Sequence, residues 1–63
     1  MTWELYEVWS VDEDGHEELV DTTKSLKEAR AIAEATLSEY FVECIIYQED
    51  DNGELQEIER IIN

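Results

Sequence analysis

The chain has 63 residues, 18 of them acidic against four basic, and a formal net charge of −14. A domain of this length buries only about 60% of its unfolded surface, and its single cysteine excludes an internal disulfide and a cysteine-based zinc site. Such a charge repels nucleic acid and anionic membranes and attracts basic surfaces, while a hydrophobic fraction of 43% is enough for a folded core rather than a disordered tail.

One acidic domain is expected over residues 1–63. The opening stretch "MTWELYEVWSVDED" has no basic region and no continuous apolar segment, unlike a secretory leader. The most apolar run, "CIIY", is far shorter than the roughly 20 residues of a membrane-spanning helix. A cytoplasmic protein without a membrane partner is expected.

Taken in order, residues 2–11 are rich in aromatic and β-branched types and read as a strand. "DEDG" at 12–15 supplies a turn, with Gly15 free to take positive φ. Residues 17–23 form the returning strand. "SLKE" at 25–28 is a capping box, and Leu26, Ala29, Ala33, Leu37 and Tyr40 recur at helical spacing, so a helix is expected over 25–40. Residues 41–49 read as a third strand, and "DDNG" at 50–53 signals a second hairpin. The segment "ELQEIERII" reads as the last strand, with a short amphipathic helix as the alternative.

The expected fold is α+β, of ββαββ order: two antiparallel hairpins in a four-stranded sheet with one helix on one face. A shift of 38 residues lays "DEDG" on "DDNG", Val8 on Ile46, Trp9 on Tyr47 and Val20 on Ile58. With three-residue turns closed by a left-handed glycine, Asp12 pairs with His16 and Asp50 with Glu54. Uninterrupted strands then set Val8 opposite Val20 and Ile46 opposite Ile58. Alternation puts Tyr6, Val8, Val20, Val42, Cys44, Ile46, Ile58 and Ile62 under the helix. It leaves Trp3, Leu5, Trp9, Val11, Leu19, Ile45 and Tyr47 on a face that no second layer covers. A cluster of two tryptophans and a tyrosine there points to self-association or a partner.

No catalytic constellation stands out. His16 sits at a turn tip with neither cleft nor positioned partner, and Cys44 falls mid-strand, where a small buried hydrophobe is the usual role. "DEDGHEE" contains D-x-D-G, like the start of a calcium loop, but it lies between strands and lacks the twelve-residue frame. No enzyme activity, metal or cofactor is expected.

Three of the four cations, Lys24, Lys27 and Arg30, crowd the start of the helix, and the rest of the chain carries 17 acids and only Arg60. Ordinary solubility calls for a net charge of magnitude about 2 to 8. Crowded carboxylates are expected to repel, which raises their pKa values on folding. In size, charge and the acidic turns "DEDGHEE" and "QEDDNGE", the chain resembles the small acidic DNA-mimic inhibitors of phages and mobile elements, anti-CRISPR proteins among them. The resemblance implies a non-enzymatic inhibitor that blocks a basic nucleic-acid-binding protein or complex in the host cytoplasm, without touching nucleic acid itself. The expected contact residues are Asp12, Glu13, Asp14, Glu17, Glu18, Glu49, Asp50, Asp51, Glu54, Glu57 and Glu59. The alternative is a small dimeric accessory or regulatory domain that binds through Trp3, Leu5, Trp9, Leu19, Ile45 and Tyr47.

Overall fold

The computed structural model describes residues 5–63. Four strands, β1 (Tyr6–Asp12), β2 (Glu17–Thr23), β3 (Phe41–Glu49) and β4 (Leu55–Ile62), and one helix, α1 (Leu26–Thr36), follow in the order ββαββ. The strands form one antiparallel sheet ordered β2-β1-β3-β4. The two hairpins are therefore joined through their first strands, and α1 carries the chain from one edge across to β3. The last segment is a strand, so the helical alternative for 55–62 is set aside.

Both turns form as their sequences require. The amide of Asp12 donates to the carbonyl of His16 at 3.1 Å and that of Gly15 to Asp12 at 3.0 Å. Asp50 and Glu54 repeat this at 2.8 Å, and Gly53 and Asp50 at 3.0 Å. Gly15 and Gly53 take φ values of 86° and 81°, and no other described residue has positive φ.

The repeat extends further than the turns. Val8 lies opposite Asp21 while Trp9 lies opposite Leu19, so Val20 is an extra residue on β2. Ile46 lies opposite Glu59 while Tyr47 lies opposite Glu57, so Ile58 is the extra residue on β4. Each bulge sits at the same place in its hairpin, and Val8 pairs with Ile46 between the two central strands. The register marks a local two-fold axis through that pair.

These bulges correct the expected pairing. Val20 and Ile58 do not face Val8 and Ile46, and both are exposed. On β4 the register brings Ile61 to the helix side opposite Cys44, and Ile62 turns away, 70% exposed. Val42 also lies outside the core, at the sheet end where the β1–β3 register slips. The buried core is Val8, Cys44 and Ile46 from the central strands with Ala29 and Ala33 from α1, bordered by Tyr6, Leu26, Ile32, Leu37 and Ile61. Two alanines four residues apart let the helix backbone approach the sheet, and the Cys44 thiol donates to the Ala33 carbonyl at 3.5 Å. Ser10, buried beside them, donates its hydroxyl to the Glu18 carbonyl at 3.4 Å.

The helix starts as expected: the Ser25 hydroxyl accepts from the Glu28 amide at 3.3 Å. Glu28 does not close the box on Ser25. Its carboxylate accepts from the Thr23 hydroxyl at 2.7 Å, and Thr23 in turn accepts from the Ser25 amide at 3.3 Å. The helix ends four residues early, at Thr36. The Ser38 hydroxyl takes the amides of Tyr40 and Phe41 at 3.3 and 3.1 Å, and such local bonding competes with helix continuation.

Two expectations follow for stability. Ala33→Leu overfills the helix–sheet contact and should cost about 1–3 kcal/mol, read as a lower melting temperature, while Ala31→Leu on the exposed side of the helix should change little. Gly15→Ala and Gly53→Ala should each cost roughly 1–2 kcal/mol from the left-handed backbone. The two costs should match, because the added methyl meets nothing at Gly15 and makes only a 3.5 Å contact with Glu49 at Gly53.

Candidate functional site

The face opposite α1 is the principal candidate. Trp9 and Ile45 are cross-strand partners, as are Glu7 and Tyr47, so alternation brings all four together on it. The Trp9 and Tyr47 rings meet edge to face, with centroids 6.4 Å apart at 87°. Their polar tips are bonded within the face: the Trp9 indole donates to Glu7 Oε1 at 2.9 Å, and the Tyr47 hydroxyl to Glu17 Oε1 at 3.1 Å. Burial, then the Glu17 carboxylate, push the Tyr47 phenol pKa up.

Toward β4 the same face becomes ionic. Arg60, opposite Ile45, bonds both oxygens of Glu57, at 2.8 Å from Nη2 and 3.4 Å from Nε, and also bonds Glu43. The Glu57 hydrogen bonds and charge hold the guanidinium above its ordinary pKa, and Arg60 in turn draws Glu57 below the usual carboxylate range. Ile45 is only 2% exposed, so it supports this face from beneath rather than offering a contact. Leu5 and Leu19 flank it at 40% and 47% exposure, and Trp3 lies outside the described residues.

The acids singled out from the sequence do not form one patch. Glu17, Glu49 and Glu57 share the open face with the aromatic rings by cross-strand pairing with Val11, Leu55 and Tyr47. Glu18 and Glu59 point to the helix side, opposite Ser10 and Ile46, and Glu59 is taken by Arg30 of α1 at 2.8 Å. Glu54 begins the return into β4. Glu13, Asp14 and Asp51 form the turn tips, and because β1 and β3 are antiparallel these tips lie at opposite ends of a body measuring 39 × 21 × 15 Å. Glu7 and Glu43 join the open face unforeseen, although Glu7 stands two residues before Trp9, the spacing that shares a strand face.

Asp12 and Asp50 have a structural task. Asp12 Oδ1 accepts from the amides of Asp14 and His16 at 2.9 and 3.0 Å. Asp50 Oδ1 accepts from Asn52 and Glu54 at 2.8 and 3.0 Å, and its other oxygen from Gln56 at 3.0 Å. The His16 amide leads in lowering the Asp12 pKa, and the Glu54 amide leads for Asp50. For Asp12, Asp50 and Glu57 the expectation of raised carboxylate values is therefore reversed: donors outweigh crowding. His16 itself projects into solvent, 3.6 Å from Asp12.

Cys44 is buried, and burial followed by the Glu43 charge raises its thiol pKa, which disfavours the reactive thiolate. Among the described residues no His, Cys, Asp and Glu cluster could hold a metal ion, and no helix is long and apolar enough to cross a membrane. Compared with family models, curated proteins and solved structures, the chain matches none.

The lowered carboxylates set the acid response. A native pKa below the unfolded one means that the folded state binds fewer protons, so the stabilisation is complete above the unfolded value and fades as pH falls through the native value. The melting temperature should therefore drop below about pH 4. Asp12→Asn with Asp50→Asn keeps an amide acceptor while removing the titration, and should flatten that acid limb. A melting temperature that rises on acidification through this range would contradict the assignment.

Proposed function

We propose that the chain is a non-enzymatic inhibitor that occupies a basic nucleic-acid-binding surface by mimicking DNA, with an anti-CRISPR as the most concrete form. The observation that carries this reading is the distribution of carboxylates: glutamates across the open face and acids at both turn tips, all held on a hydrogen-bonded sheet. A nucleic-acid channel presents Lys and Arg side chains that otherwise meet phosphates. Carboxylates fixed on a sheet meet them without the ordering cost of a flexible acidic tail. On the open face Arg60, enclosed by Glu43 and Glu57, offsets only one of five glutamate charges.

The second reading, an accessory domain that pairs with itself through the aromatic face, draws support from the exposure of Leu5 and of Leu19, the cross-strand partner of Trp9.

The discriminating experiment is competition. Against a guide-RNA-loaded CRISPR effector, the chain should displace target duplex, and its affinity should fall at least about tenfold between roughly 50 and 200 mM salt. Binding that leaves the duplex in place and ignores salt would favour the accessory-domain reading. Sedimentation of the free chain reports self-association independently.

A further inference from the structure

The open face and the turn tips are separate surfaces, and they differ in what they can grip. The first tip sets its carboxylates beside exposed His16 and a single exposed ring, Tyr40, whose hydroxyl donates to Asp12 at 3.5 Å, and the second tip offers carboxylates without a ring. The open face offers carboxylates around two aromatic rings, which is the pairing that suits a planar cation: a ring face below it and charge-assisted acceptors at its edge. We propose that this face, centred on Trp9 and Tyr47 and rimmed by Glu7, Glu17 and Glu49, receives an arginine-bearing segment of a protein partner, with the turn tips only steering its approach. The inference rests on the reading that the partner is basic and says which surface meets it and through which side chain.

Two observations carry it. The face already holds one guanidinium by its carboxylates, since Arg60, opposite aliphatic Ile45, is gripped by both oxygens of Glu57 and by Glu43. Glu7 and Glu17 each accept one bond from an aromatic tip. A carboxylate has about four acceptor positions, so each can bond an incoming guanidinium without releasing its ring. Charge then selects the occupant. Glu7, Glu17, Glu43, Glu49 and Glu57 with Arg60 leave the face four charges negative by the register. A second copy laid face to face would double that charge, whereas a basic segment neutralises it. Arginine is favoured over lysine because its plane can stack on a ring while its edge bonds a carboxylate.

The test uses an eight-residue oligoarginine peptide and its oligolysine counterpart, with two triple variants of equal charge change. Glu7→Gln/Glu17→Gln/Glu49→Gln alters the face and keeps acceptors for Trp9 and Tyr47; Glu13→Gln/Asp14→Asn/Asp51→Asn alters the tips. Melting curves establish that both remain folded. Oligoarginine should bind more tightly than oligolysine and shift the Trp9 indole proton resonance, assigned with Trp3→Phe. The face triple should weaken binding about tenfold, roughly the loss of one charge-assisted hydrogen bond, and the tip triple less than about threefold. Equal loss from both triples, or equal binding of the two peptides with the Trp9 resonance unmoved, overturns the site while leaving a basic partner in place. No binding of either peptide, with duplex displacement also absent, removes the basic-partner reading itself. A free chain that sediments as a dimer with the Trp9 resonance insensitive to oligoarginine gives the face to a second copy.

Discussion

Val8 and Ile46 face each other across the two central strands, both wholly buried, and the rest of the molecule is arranged around their contact. The pair joins two hairpins that are 38 residues apart in the chain. Burying two aliphatic side chains of this size contributes on the order of 1.5–3 kcal/mol each, a large share where the described residues place five side chains in the core beneath the helix. The helix adds only Ala29 and Ala33 to the buried set, but their small size lets it lie close enough to exclude water from Val8, Cys44 and Ile46. On the other face, Ile45 is sealed by its neighbours without any second layer.

The bulges tie this packing to the charge distribution. An extra residue on β4 brings Glu59 to the helix side, where Arg30 meets it, and it turns Arg60 to the open side opposite Ile45, within reach of Glu57. Bulges commonly re-aim side chains in this way. Arg30–Glu59 is exposed, a class of pair worth roughly 0–1 kcal/mol, so its value lies less in stability than in removing one cation and one acid from the outward field. Arg60 does the same on the opposite face. Lys24 and Lys27 form no ion pair among the described residues, which concentrates the remaining positive charge at the start of α1.

Much of this was legible in the residues. The limits of β2 and β3, the Ser25 cap and both glycine turns follow from local chemistry: β-branched composition, a hydroxyl at the cap position and a residue that tolerates positive φ. The helix was read four residues too long because Leu37 and Tyr40 continue its apolar period, while the competing turn at Ser38 is a side-chain contact that periodicity does not reveal. The bulges were hidden because Val20 and Ile58, the inserted residues, are apolar and look like core strand positions. The strand order was also not legible, since alternation tells which face a residue takes and not which strand lies beside it. At the open face the aromatic residues stand out by type, whereas Glu7 and Glu43 lie within strands, away from the turns where the acids of this chain cluster. Glu49 and Glu57 were read as hairpin charge and belong with the rings.

An open sheet has two bare edges, and β2 shows what the acidity does at one of them. Glu17, Glu18 and Asp21 are all exposed along this strand, with no basic residue among its seven positions. Two copies that tried to extend the sheet through β2 would bring like charges together along the new seam, which opposes cross-strand pairing. The edge is thus guarded against unintended growth by the same residue types that make the protein acidic.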